Sequence, residues 1–163
     1  MLFRSLVPTM STHEVLGTEG VAGGMPKEMC DKVFEVVDAG KTTHAHAHSR
    51  GVKMVYGTDL LGPMHRHQLL EFAIRSAFQS PSEVIASATV TAAELFNLTE
   101  EIGDLSPGKR ADMIALAGNP LEDLGGLQQP DEYLKLAMKD GGRSEERPVG
   151  KGGESRWAPE QSK

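Results

Sequence analysis

The spacing of apolar residues changes character several times along the chain. Leu6-Val7-Pro8-Thr9 reads as the end of a strand, and the glycine-rich stretch Gly17 to Gly24 after it reads as a long loop. Pro26 then opens a helix. Met29, Val33, Val36 and Val37 recur there at helical spacing, with Lys27, Asp31, Lys32 and Glu35 mostly elsewhere, so this helix should face a core on one side only. It is expected to run to Arg50, where Gly51 supplies a C-terminal stop. Val52-Lys53-Met54-Val55-Tyr56 is rich in strand formers and bounded by Gly51 and Gly57, which predicts a short buried strand. Helix followed by strand is one step of an α/β repeat.

A second helix is predicted from about Arg66 to Gln79, with Leu70, Ala73, Ile74, Ala77 and Phe78 on one face. Glu71 follows His67 by one turn and Arg75 follows Glu71 by another, the spacing of a solvated ion-pair ladder. Ser80-Pro81-Ser82-Glu83 restarts the chain: Ser80 can cap, Pro81 suits the first helical position and Glu83 completes a capping box. The third helix should continue to about Asn97, since Val84, Ile85, Ala88, Ala92, Leu95 and Phe96 repeat every three or four residues. Pro107-Gly108 makes a turn into a strand from Asp112 to Ala117, and Leu134, Leu136 and Met138 alternate with Lys135, Ala137 and Lys139 in a last strand. The final part is therefore β-rich and different in kind.

Composition narrows the class. The 163 residues suffice for one ordinary domain but not for a complete eight-stranded barrel of about 250 residues. Hydrophobic residues make up 39% and charged residues 25%, enough for a packed core in a soluble globular chain. Lys plus Arg number 17 against 23 Asp plus Glu, a net charge of −6 without a basic cluster, so nucleic acid and acidic or polyphosphate ligands are disfavoured. No apolar run approaches a membrane span. The single cysteine, Cys30, reads as a packing residue, because it has no internal disulfide partner and no His or Lys placed beside it. Compartment stays open on these grounds, with the cytoplasm favoured.

The ends differ from the interior. After Gly142, RSEERPVGKGGESRWAPEQSK shows no apolar periodicity, so residues 143–163 are expected to be disordered. Leu2-Phe3-Arg4-Ser5 can be encoded by a 12-nucleotide stretch whose reverse complement encodes Arg143-Ser144-Glu145-Glu146. Both ends then read as one sequencing-adapter-like oligonucleotide, making residues 1–5 and 143–163 expected artefacts to be set aside in fold reasoning.

Candidate chemistry begins at Gly57-Thr58-Asp59. The tripeptide follows the Val52 to Tyr56 strand directly, so the Asp59 carboxylate would stand at the strand's C-terminal end, where parallel α/β folds place reacting groups. There it could bind a metal or take a proton from metal-bound water; equally, it could be a turn aspartate capping the next helix. His44, His46 and His48 look like a metal cluster, but they fall within a helix. His44 and His46 point about 200° apart, and no Glu stands between them in a zinc-helix arrangement, which favours an ordinary helix face. His65 and His67 lie beyond Asp59, where one of them could reach the same mouth.

Taken together, GVKMVYGTDLLGPMHRHQLLEF, SPSEVIASATVTAAELFNL, IGDLSPGKRADMIALAGNPLEDL and LKLAMKDGG resemble the C-terminal part of the amidohydrolase superfamily, in its imidazolonepropionase and Xaa-Pro dipeptidase-like branch. The order of several separate motifs makes the likeness specific, and it covers Leu6 to Gly142. The resemblance implies an α/β fold: the C-terminal portion of a (β/α)8 barrel plus part of a small composite β-sandwich. Residues 6–103 would form the last two β/α units and the following helix, and residues 104–142 the partial sandwich. It further implies that Asp59 is both the catalytic residue and a ligand of a divalent metal, zinc above all, as one or two ions in the full-length parent. The family's other metal ligands have no counterpart here, and His44 and His46 do not match its His-x-His pair. The resemblance thus implies a fragment of a metal-dependent hydrolase of carbon-nitrogen bonds other than main-chain peptide bonds, acting on cyclic amides or Xaa-Pro-like dipeptides through metal-activated water. Its expected partner is a small-molecule amide, with no nucleic acid and no membrane, and an oligomer left open. The alternative is a non-catalytic partial domain that binds a partner or does not fold stably.

Overall fold

The computed structural model describes residues 5–143. Residues 1–4 and 144–163, most of the two adapter-like ends, lie outside them; Ser5 and Arg143 each belong to a two-residue strand. The chain is an α/β unit followed by a small antiparallel sheet. Strands β1 (Ser5–Leu6) and β2 (Lys53–Met54) pair in parallel, Ser5 with Lys53 and Leu6 with Met54, and Val55 N–H donates to the Leu6 carbonyl just beyond them. Parallel strands need a long crossover. Helices α1 (Met10–Glu19) and α2 (Lys27–Ser49) provide it and pack along each other.

The expected loop from Gly17 to Gly24 is corrected here: the chain is helical through Glu19, and only Gly20 to Gly24 turns. Gly17 is needed for close approach, because a Cβ there would lie 2.8 Å from the Phe34 ring of α2. The core face of α2 also differs from expectation. Cys30 and Val37 are buried, whereas Met29 and Val36 are each 54% exposed, since α1 covers the other side of the helix. Cys30 is a packing residue, and Gly51, at φ 73°, ends the helix as its sequence suggests.

After β2 a 3₁₀ turn (Gly62–His67) precedes α3 (Leu70–Ser76), which is shorter than the helix expected from Arg66 to Gln79. The tighter turn follows Pro63 at its first positions, and the Tyr56 hydroxyl donates to the Gln68 carbonyl at 2.6 Å, fixing the segment before α3. Helix α4 (Pro81–Ala88) opens with the complete capping box of Ser80 and Glu83. The single third helix expected from the spacing is two, because the chain breaks at Thr89, at φ −125° and ψ −96°, before α5 (Val90–Phe96). The Thr89 hydroxyl bonds back to the Ile85 carbonyl at 2.8 Å, an alternative to continuing the helix. As a result Leu95 and Phe96 lie exposed, outside the core face on which the spacing had them.

Strands β3 (Met113–Leu116), β4 (Leu134–Lys139) and β5 (Gly142–Arg143) form an antiparallel sheet in that order, and a one-turn helix, α6 (Pro130–Tyr133), leads into β4. Phe72 of α3, Val84 of α4 and Leu124 make a buried cluster, and the Tyr56 ring stacks on Phe72 at 4.4 Å between centroids. This cluster anchors the end of β2 against α3 and α4, with Tyr56 N–H donating to the Ser87 carbonyl. No helix among the described residues is long and apolar enough to cross a membrane.

Candidate active site

Both parallel strands end at one point. A Cβ at Gly57 would run into Val7 Cγ1, so glycine there lets the segment after β2 close on the segment after β1. Two residues on, Asp59 adopts the left-handed conformation at φ 52°, a region that Asp tolerates better than most residues. Leu60 is buried directly after it, while the Asp59 side chain is exposed. Its carbonyl accepts a hydrogen bond from the buried Thr12 hydroxyl of α1 at 3.1 Å. The carboxylate makes no hydrogen bond with the described residues, and it caps no helix: the 3₁₀ turn has Leu61 at its cap position, without a side-chain cap.

The histidines disperse. His44 faces α1, its Nδ1 3.1 Å from Met10 Sδ, and burial first, then the charge of Arg75, holds its pKa below the ordinary value. His48 reaches Glu83 Oε1 at 2.9 Å, His46 and His65 are exposed, and His67 Nε2 meets Glu19 Oε1 at 2.7 Å. Among the described residues no three His, Cys, Asp or Glu side chains gather where they could hold a metal ion.

Two residues acquire a role that the spacing did not suggest. Glu71 and Arg75 are fully buried, which corrects the expected solvated ladder. Glu71 Oε2 accepts from both the N–H and the hydroxyl of Ser11, at 2.8 Å each, in the first turn of α1. Arg75 Nε donates to Gln79 Oε1 at 2.7 Å, while Glu71 Oε1 and both Nη atoms of Arg75 have no hydrogen-bond partner among the described residues. Burial pushes the Glu71 carboxyl up, against the pull of the Ser11 bonds and the Arg75 charge, and burial also raises the Tyr56 phenol. The sequence carries no local signal for this, because Glu71, Arg75 and Gln79 recur every four residues on one face, the pattern of a solvated stripe, even though most of their neighbours in the chain are apolar.

A cavity of about 790 Å³ opens between α4, α5 and the β3–β4 sheet, walled by Ile85, Ala92, Phe96, Ile114 and Leu127. It holds no chemistry. Its two carboxylates, Asp104 and Asp112, are tied to Lys109 and Lys139, and Asp59 is not among its walls. The reacting position is therefore to be sought at the strand ends.

The amidohydrolase family matches residues 5–142. The chain belongs to this family. Its amidohydrolase segment is 32% identical over 126 residues to an ochratoxinase of Aspergillus niger, covering 76% of the chain and 26% of that protein. An imidazolonepropionase of Deinococcus deserti is 37% identical over 78 residues, 45% of the chain and 19% of the relative. A prolidase solved with N-methylphosphonate-L-proline superposes with a TM-score of 0.78 at 37% identity, over 85% of this chain and 34% of its own. The chain thus spans about a quarter of the length of the curated relatives it matches. The expected branch of the superfamily, with imidazolonepropionase and prolidase relatives, is the one these likenesses support.

Proposed function

We propose that this chain is the closing part of a hydrolase of carbon-nitrogen bonds, with Asp59 as the group that handles the proton. The observation that carries this reading is Asp59 itself: an exposed carboxylate five residues after the second of two parallel strands, unengaged by other described side chains and held by its backbone. In this reading β1 and β2 are the seventh and eighth strands of a (β/α)8 barrel, and β3 to β5 part of a small sandwich beside it. Such barrels carry their reacting groups at the C-terminal strand ends.

The step for Asp59 balances without further groups from this chain. A water oxygen attacks the amide carbon as Asp59 takes the water proton. The carboxylic acid then gives that proton to the leaving nitrogen as the carbon-nitrogen bond breaks. Ochratoxinase, imidazolonepropionase and prolidase relatives support an amide-type substrate of small size, such as a cyclic amide or an Xaa-Pro dipeptide.

The divalent metal that the family implies, zinc above all, does not fit the residues present here. A catalytic zinc takes about three protein ligands, and among the described residues Asp59 stands as a single carboxylate that no group of His, Cys, Asp or Glu joins. Metal dependence is proposed only for a hydrolase of the relatives' full length, with Asp59 as one ligand among others.

The test uses such a full-length hydrolase carrying these residues, assayed on Xaa-Pro dipeptides and cyclic amides. Asp59→Asn keeps the turn but cannot accept the proton, and loss of general-base help costs about 10²–10⁴-fold. His44→Ala, His46→Ala and His48→Ala should leave turnover nearly intact. Near-wild-type turnover in the Asn variant would sink the assignment.

A further inference from the structure

Among the described residues no side chain holds the Asp59 carboxylate by a hydrogen bond or ion pair, so what fixes its direction there acts through the backbone. The backbone conformation is one that residues other than glycine seldom adopt, at φ 52°. Asp59 makes one hydrogen bond among the described residues, and it comes from Thr12 Oγ1, in the first turn of α1. Thr12 is itself buried, so water competes little for that hydroxyl.

The far end of the same loop returns to the same turn. Twelve residues after Asp59, Glu71 Oε2 takes both hydrogen-bonding groups of Ser11, the neighbour of Thr12, at 2.8 Å each. Ser11 N–H is one of the amides that the start of a helix leaves without an intrahelical partner, and a carboxylate is the favoured group there. At the other end of α1, Glu19 takes His67 and Arg66 from the middle of the loop. The segment from Asp59 to Glu71 is therefore tied to one helix at its start, its middle and its end, and adjacent residues of a single turn supply the first and last ties.

We propose that the first turn of α1 fixes the Asp59 carboxylate for proton transfer, with Thr12 and Glu71 as its positioning residues. This rests on Asp59 being the proton-handling group. Thr12 acts on the Asp59 carbonyl directly. Glu71 acts through Ser11, by holding the turn that presents the Thr12 hydroxyl. Neither touches the substrate.

The experiment reads Asp59 itself, by backbone ¹³C chemical shifts in the labelled 163-residue chain, and needs no turnover. In the wild type the Asp59 Cα and carbonyl shifts should stand away from coil values, in the direction of the left-handed conformation. Thr12→Val keeps the side chain's shape without the hydroxyl and should move both shifts to coil values, and Thr12→Ser should restore them. Glu71→Ala, which removes the acceptor of both Ser11 groups, should move the same two signals in the same direction from twelve residues away. An unchanged Asp59 in Thr12→Val, or coil shifts in the wild type, overturns the proposal. Thr12→Val and Thr12→Ser decide it even if Glu71→Ala unfolds the chain, because neither disturbs the buried charges. Failure of the hydrolase reading shows elsewhere, as retained turnover in Asp59→Asn of the full-length enzyme, and leaves these shifts as they are.

Discussion

Replacing Glu71 by alanine should destabilise the chain far more than its place in an i, i+4 series suggests. The side chain is fully buried, accepts two hydrogen bonds from Ser11 and is the carboxylate whose charge acts on Arg75, also fully buried. Truncation leaves the Ser11 amide and hydroxyl without their acceptor and the guanidinium without a counter-charge. Each buried donor left without an acceptor costs about 1–3 kcal/mol, so losing the acceptor of both costs about 2–6 kcal/mol, against about 0.2–1 kcal/mol for an exposed ion pair. With a urea dependence of about 1–3 kcal/mol per molar, the unfolding midpoint followed by circular dichroism should fall by at least about 0.7 M. Glu71→Ala combined with Arg75→Met should cost less than Glu71→Ala alone, because the buried guanidinium leaves with the carboxylate that acts on it. A loss below about 1 kcal/mol would show that Glu71 is solvated after all. The pH dependence has a definite sign. Burial lifts the Glu71 carboxyl above its unfolded value of 4.5, so the folded chain keeps this proton longer than the unfolded chain. The associated stability is complete below that value and is lost as pH rises through the raised one. Wild type should therefore lose stability relative to Glu71→Gln, which has no such proton, as pH is raised across this window.

The cap of α4 gives the opposite slope. Hydrogen bonds from the Ser80 hydroxyl and then the Ser80 N–H, with His48 after them, hold the Glu83 carboxyl down to about 2, so its contribution is full above the unfolded value of 4.5 and is lost as pH falls toward 2. Ser80→Ala should cost about 1 kcal/mol at neutral pH, and Glu83→Gln should flatten the acid side of the thermal-melt profile; a profile unchanged in the Gln variant would remove Glu83 from the account. The 163-residue chain should bind zinc weakly, losing it on dialysis against a mild chelator, because one carboxylate is too small a ligand set. Zinc retained at one ion per chain would refute this and bring His44, His48, His65 and His67 back as ligands.

What the sequence reveals and what it hides divide along one physical line, the distance over which a residue's role is settled. The Ser80 to Glu83 capping box, the Gly51 stop and the alternation from Leu134 to Lys139 are decided within a few residues, and each stands in the structure where its local pattern had it. Asp59 is local only in part, because the strand expected to reach Tyr56 ends at Met54, five residues before it. Gly17 is not. Alone it reads as loop, and only the Phe34 ring, on another helix, explains why a glycine sits inside α1. Glu71 and Arg75 carry the point furthest, because their spacing fits a surface ladder and their neighbours' hydrophobicity fits burial, and a local rule does not choose between them. Ser11, 60 positions away, decides it by offering two donors where water would otherwise be needed. The same turn holds Asp59 through Thr12, so the feature that hides Glu71 from a local reading is also the one that ties it to the candidate site.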